Sequence, residues 1–443
     1  MSPHDSSFPE GFIKSISSLL NDGLDDFLAS FSQAPQRALR YSTRRRELGF
    51  SNDCTRPVPW ARAAWYIEQD MLPGAHPLHW AGAYYIQEPS AMAAVSALHP
   101  SPGDRVLDLC AAPGGKACQI ADELAGEGIL VANDPVLSRA AELSRNIERM
   151  GIHNALVTSN RPEKLAENFP CYFDKIMVDA PCSGEGMFRK DPQTRTHWTP
   201  SLVEFCALRQ GKILDSAALM LCPGGKMVYS TCTFNHVENE SVIEGFLTRH
   251  PEFCLLPFAL DGLPAATGGI LRIWPHIVAG EGHFIALLER RGEGKVFKSS
   301  VVKPFKKTQG HEDVCHEINA ALPDWSAQAL FANAVHASNA VMLPQECPDL
   351  QGLQVLRLGL HLGSLQGKTP RPDHALALAA QPRVCLPVDE AKAQAYRRGQ
   401  PLDVCASMSG WAAPCISDWP LGWGKASGGT LKNHYPKGLR VYS

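Results

Sequence analysis

No apolar run in the sequence approaches the roughly 18 residues that a membrane-spanning helix needs, which argues against a helical membrane protein. Residues 1–9 are polar and acidic, and lack the basic start and apolar core of a secretory leader. There is no Cys-x-x-Cys pair, and no cysteine and histidine stand at zinc-finger spacing, so no metal is expected. The 14 cysteines are spread over 443 residues, unlike those of a short disulfide scaffold. Most of them, such as Cys118, Cys222 and Cys254, read as small core residues. Charge of one sign is lacking too: 42 basic against 45 acidic side chains leave a net of -3, which excludes a polycation. Internal repeats and low-complexity tracts are absent. The expectation is a cytoplasmic monomer that makes no use of a membrane.

Hydrophobic residues at 44% and charged residues at 20% are ordinary for a chain with a real core. Its length suits two to four domains. Basic residues gather locally, at Arg37, Arg40, Arg44, Arg45 and Arg46, over Lys295 to Lys307, and over Lys425 to Arg440. Such patches can hold a phosphate backbone on a protein of neutral average charge. Each reads equally well as solvated surface.

Residues 9–95 form a helical and mixed opening region, with apolar residues at helical spacing over Phe12 to Leu20 and Leu24 to Phe31. From Val106 the pattern alternates. Strands are predicted at 105–109, 128–133, 155–158, 173–179 and 226–230, with helices at 115–124, 136–150, 202–221 and 239–247. His283 to Glu289 is predicted as an edge strand. Strands separated by such helices predict a doubly wound, mostly parallel sheet with ligands at the carboxyl ends of its strands. Residues 293–308 read as a linker. Beyond it, helices are expected over 314–334 and 372–380, a strand over 353–362, and a small appended domain from Cys385 onward.

Three motifs follow strands. In Asp108-Leu109-Cys110-Ala111-Ala112-Pro113-Gly114-Gly115-Lys116, small residues and two glycines let backbone approach a ligand at a helix start. The spacing is neither that of a dinucleotide loop nor that of a phosphate loop. A nucleoside with an amino-acid tail and no pyrophosphate fits better. Asp134 ends the next strand, where a carboxylate can accept from ribose hydroxyls or cap the following helix. Asp179-Ala180-Pro181-Cys182 and Ser230-Thr231-Cys232 end two later strands, roughly fifty residues apart. Two thiols beside a donor loop suit alkylation of cytosine carbon 5, which becomes nucleophilic only after a thiolate adds to carbon 6. His79, His276 and His283 have no evident partner and read as packing or surface residues.

Together these motifs resemble the Nop/Sun family of RNA 5-cytosine methyltransferases. Gln87-Glu88-Pro89-Ser90-Ala91 matches that family's opening motif. Gly280-Glu281-Gly282-His283-Phe284, Gly422-Trp423-Gly424-Lys425 and Lys432-Asn433-His434-Tyr435-Pro436-Lys437-Gly438 resemble more narrowly its bacterial RsmF branch, which modifies small-subunit ribosomal RNA. The resemblance covers nearly the whole chain. It implies a class I, Rossmann-like methyltransferase domain over 96–292, using S-adenosyl-L-methionine. An N-terminal RNA-binding region of mixed α+β character is implied over 1–95, an intermediate domain over 309–382 and a PUA-like RNA-binding domain over 383–443. The backbone of Cys110, Ala111, Ala112, Pro113, Gly114, Gly115 and Lys116 would cradle the donor, with Asp134 on its ribose. Asp179 would sit by donor and base with Lys116 close. Cys232 would be the nucleophile and Cys182 the thiol that helps release product; that ordering comes from the family and not from the residues. The family often has an acidic residue near the adenine, where this chain has Thr158-Ser159-Asn160-Arg161, so Asn160 would offer its amide oxygen instead. The expected activity is carbon-5 methylation of cytosine in 16S ribosomal RNA through a covalent cysteine adduct. A transfer RNA substrate, or a non-catalytic ribosome-assembly factor, are the rival readings.

Overall fold

The computed structural model describes residues 8–44, 56–293, 316–318, 320–322, 339–344, 347–366 and 369–441. Arg45 and Arg46, the basic stretch over 295–307, the linker over 294–308 and most of the helix expected over 314–334 fall outside them.

Helices α1 (Glu10–Leu20) and α2 (Leu24–Ser30) lead into a four-stranded antiparallel sheet of β1 (Ala38–Tyr41), β2 (Arg56–Pro57), β3 (Ala64–Tyr66) and β4 (Tyr84–Gln87), with the short α3 (Pro77–Trp80) before β4. Then comes α4 (Pro89–Leu98), whose first turn is capped by the Glu88 carboxylate accepting from Ser90 and Ala91 N–H.

The alternating region follows: β5 (Arg105–Asp108), α5 (Gly115–Glu123), β6 (Ile129–Asn133), α6 (Leu137–Arg149), β7 (Ala155–Thr158), α7 (Pro162–Asn168), β8 (Phe173–Asp179), the short α8 (Gln193–His197), α9 (Pro200–Met220), β9 (Leu221–Thr231), α10 (Glu240–Arg249), β10 (Phe253–Leu255), β11 (Ile270–Ile273) and β12 (His283–Arg290). Strands β5 to β9 are mutually parallel, and the order across the sheet is β10-β12-β9-β8-β5-β6-β7. Alternate side chains of each strand serve opposite faces. Val106 packs with α4, α5 and α6 on one side. Leu107 packs with α7, α9 and α10 on the other. Burial on both faces explains why all five residues of β6 are buried. The chain turns back between β5 and β8, so the loops after these two strands meet at the sheet's switch point.

Two expectations need correction. His283 to Glu289 is no edge: β12 pairs with β9 on one side and with β10 and β11 on the other. The single strand expected over 353–362 is broken at Gly359, whose φ of +65° admits no ordinary side chain; a Cβ there would lie 2.2 Å from the Met342 carbonyl. Its first half, preceded by β13 (Asn339–Met342), is β14 (Val355–Leu358), which joins the central sheet antiparallel to β7. Its second half, β15 (Leu360–Gln366), crosses into a three-stranded sheet with β13 and β16 (Thr369–Pro372). The intermediate segment thereby covers an edge that would otherwise expose unpaired backbone.

After α11 (His374–Ala379), the C-terminal unit comprises β17 (Cys385–Pro387), α12 (Glu390–Arg397), β18 (Leu402–Asp403), β19 (Gly410–Ile416), β20 (Trp419–Pro420), β21 (Gly424–Ser427) and β22 (Thr430–Asn433). Its strands make one six-stranded sheet.

Two arginines of the N-terminal basic cluster are engaged within the fold. Arg40 is only 2% exposed and forms a buried ion pair with Asp122. Arg37 donates to the Gln69 and Met71 carbonyls. What the N-terminal helices do contribute is an aromatic cluster: Phe8, Phe12, Phe27 and Phe31 pack with Phe188, Trp198 and Phe234. Phe188 lies just beyond Cys182 and Phe234 just beyond Cys232, so this cluster braces both cysteine turns. Phe12→Ala removes a fully buried ring and is expected to destabilise the protein by about 3–5 kcal/mol, read as a lowered urea unfolding midpoint.

Candidate active site

The register of β8 on β9 pairs Asp179 with Ser230, so the turns that follow the two strands begin side by side. Cys182 and Cys232 come together there, with their sulfurs 3.3 Å apart. Two buried carboxylates hold the turns in place. Glu238 accepts from Ser183 N–H at 2.9 Å, from the Ser183 hydroxyl, and from the Gln210 and Asn235 amides at 2.9 Å each. Glu185 accepts from Phe234 N–H at 2.7 Å, Asn235 N–H at 3.0 Å and Trp198 Nε1 at 3.0 Å. Each carboxylate thus bonds groups from both cysteine loops or from the elements behind them. The Cys182 thiol is pushed well above its ordinary value, first by its hydrogen bond with Cys232 and then by burial.

On the opposite face of the sheet from α9, α5 delivers Lys116, whose Nζ lies 2.9 Å from Asp179 Oδ2. Asp179 Oδ1 accepts from the Ser230 hydroxyl at 2.9 Å. His283 Nε2 lies 3.6 Å away from the same oxygen. Burial alone would raise the Asp179 carboxyl, but the Lys116 charge, with His283 behind it, outweighs burial and holds it below the usual carboxylate range. Asp108, at the end of β5, is fully buried and its oxygens have no hydrogen-bond partner among the described residues. Burial and the nearby Asp179 charge push its carboxyl up to about 8.

A cavity of about 630 Å³ opens at these strand ends, a size suited to a nucleoside-type ligand. Cys110, Ala112, Asp134, Arg139, Asp179, Cys182 and Cys232 are among its lining residues. Gly114, at φ +119°, starts α5 where a Cβ would lie 3.2 Å from Leu143. Ala111 N–H is engaged with the Asn133 carbonyl, and Pro113 O accepts from Asn146. Asp134 Oδ1 accepts from Val136 N–H at 2.9 Å in the turn ahead of α6, whose first turn has no side-chain cap, and Asp134 also lines the cavity. The small residues, the nearby unpaired Asp108 carboxyl and the carboxylate at the end of β6 fit a cationic amino-acid nucleoside.

Asn160 is tied to the C-terminal half of the chain. Its amide donates to the Gln354 carbonyl at 3.1 Å and accepts from Gln354 N–H at 3.0 Å. Both ends are used by the segment leading into β14, and Arg161 and Pro162 line the cavity instead. Sequence reasoning missed Asp108, Glu185 and Glu238 as site residues and gave His283 no partner. Glu185 and Glu238 follow their cysteines by three and six residues, a pairing of acids with strand-end thiols that was readable in principle.

Comparison with known proteins bears on this geometry. Residues 95–289 match the 16S rRNA methyltransferase RsmB/F family, 8–89 the N-terminal domain of 16S rRNA methyltransferase RsmF, 320–379 its first C-terminal domain and 383–441 its PUA domain. Proteins named ribosomal RNA small subunit methyltransferase F are 33% identical in Klebsiella pneumoniae, covering 98% of this chain and 96% of the relative. In Cronobacter sakazakii the figures are 34%, 97% and 96%. The chain belongs to the small-subunit rRNA methyltransferase F family. A methyltransferase homologue from Pyrococcus horikoshii is 28% identical, with a TM-score of 0.58 over 66% of this chain and all of that one. NSun6 from Pyrococcus horikoshii, at 19% identity and a TM-score of 0.55 over 65% of this chain and 99% of that one, shares the fold.

The family and the Rossmann-like sheet make this an S-adenosyl-L-methionine-dependent rRNA methyltransferase with a C-terminal PUA domain. Among the described residues, no helix is long and apolar enough to cross a membrane. Within the matched methyltransferase domain of this chain, Asp108 gives a pH signature. Its carboxyl is raised from 3.8 to about 8 on folding, so the stability it contributes is present below about pH 4 and lost as pH rises to about 8. Asp108→Asn should flatten that loss, with the difference in urea midpoint from wild type growing between pH 4 and 8.

Proposed function

We propose that the chain methylates carbon 5 of a cytosine in 16S ribosomal RNA, through a transient bond between Cys232 and carbon 6 of the base. The reading rests chiefly on two sulfurs 3.3 Å apart in a cavity that the donor loop also lines. The cofactor, when bound, supplies its methyl group from a sulfonium. Cys232, as thiolate, adds to carbon 6 while Asp179 and Lys116 hold the ring and its developing charge. Carbon 5 then takes the methyl group, its remaining proton is lost to a base, and the bond to the Cys232 sulfur breaks to restore the ring.

The order of the thiols follows the family resemblance. Cys182, whose sulfur lies 3.3 Å from that of Cys232 with either atom able to donate, is proposed to help release the product. Asp134 is proposed to receive the ribose hydroxyls of the cofactor, and the loop from Cys110 to Lys116 its methionine part. The target base has to leave its stack to reach the sulfurs, which costs a few kcal/mol. An rRNA substrate is consistent with action in the cytoplasm. A transfer RNA substrate finds no support in the family matches, and a purely structural role leaves the thiol pair without a purpose.

Cys232→Ala is expected to abolish incorporation of labelled methyl into 16S rRNA, while Cys182→Ala accumulates a covalent protein–RNA band on denaturing gels. The reverse pattern would exchange the two roles, and no change in either would end the proposal. Asp134→Ala should weaken calorimetric S-adenosylmethionine binding by roughly 1–3 kcal/mol, through ribose hydroxyls left unpaired.

A further inference from the structure

The reaction chemistry gives no role to the outer face of α9. Its exposed residues Glu204, Phe205, Leu208, Arg209 and Lys212 recur at helical spacing and share one stripe. Phe205 is 62% exposed and Leu208 72%, an unusual pair of large apolar side chains to leave in water one turn apart. Beside them, Arg209 and Lys212 line the mouth of the active-site cavity, as does Arg161 from the end of β7. These three cations make no side-chain hydrogen bond or ion pair among the described residues. Arg139, also at the mouth, differs in being tied to Asp134 and the Ala112 carbonyl. Two carboxylates lie on this surface: Glu163 lines the cavity and Glu204 lies at the far end of the stripe.

A strand that delivers one flipped base into the cavity has to run its backbone across the mouth. Its flanking phosphates call for cations not already paired, and its unstacked neighbours call for a flat apolar surface. A protein partner would be expected to keep charge out of the centre of such a patch, whereas here cation and apolar side chain alternate. We propose that the outer stripe of α9 is an RNA-docking surface: Arg209 and Lys212, with Arg161, hold phosphates flanking the target nucleotide, and Phe205 with Leu208 supports an adjacent unpaired base. This rests on the reading that the target base enters the cavity.

The test compares full-length wild type with Arg209→Ala/Lys212→Ala and Phe205→Ser/Leu208→Ser, using small-subunit ribosomal RNA transcribed in vitro as the probe. Filter binding is measured over about 50–200 mM salt. The cation variant should bind about 5- to 20-fold more weakly, with a salt slope shallower by roughly 1–2. The apolar variant should lose about 5-fold with its slope unchanged, and it should bind S-adenosylmethionine as wild type does. RNA affinity and slope equal to wild type in both variants overturn the docking surface. RNA affinity kept while Phe205→Ser/Leu208→Ser releases a bound protein assigns the patch to that protein and overturns it too. If the variants lose affinity as expected but wild type leaves carbon 5 of this RNA unmethylated, the docking surface stands and the reading of the reaction falls.

Discussion

Two carboxylates buried beneath the cysteine turns set the geometry on which the site depends. Glu185 and Glu238 are fully buried, and an acid in that position persists only if donors surround it. Here the donors are backbone N–H groups and amides belonging to both turns and to α9. The same bonds that satisfy the acids therefore fix one strand-end turn against the other. Without that clamp, two sulfurs on separate loops would have no reason to stay 3.3 Å apart. The aromatic cluster of the N-terminal region packs on Phe188 and Phe234, which follow the two turns, so that region is part of the scaffold of the candidate site.

A second constraint is electrostatic. Lys116 stands between Asp108 and Asp179, and one cation has two acids to serve. Asp179, in direct contact, is held below the usual carboxylate range; Asp108, with no side-chain partner among the described residues, is pushed up to about 8 by burial and the Asp179 charge. One acid is thus a negative charge lining the cavity with the thiols, while burial favours the neutral form of the other. The C-terminal half contributes from a distance. By laying β14 along β7, it takes the Asn160 amide away from the cavity and leaves Arg161 at the mouth.

Much of this was legible in the residues. The strands at 155–158 and 173–179 fall where their apolar runs place them, because strands buried on both faces are continuous hydrophobic segments bounded by turn residues. The three motifs lie at carboxyl ends, as a parallel sheet requires. The break at Gly359 was not legible, since only contact with the Met342 carbonyl shows that no side chain fits there. Nor was the burial of Arg40: a basic run looks the same in sequence whether it faces water or Asp122.

Residue order alone carries the alternation of strands and helices, the glycine-rich loop with its small residues, and the presence of two thiols at strand ends. These depend on local pattern and residue type, which the chain carries wherever it is read. Tertiary structure alone decided that the thiols touch, that His283 stands behind Asp179, that Asn160 turns away, and that Arg161, Arg209 and Lys212 share one opening. Those are distances between segments far apart in the chain, and they arise only from strand register and buried hydrogen bonding.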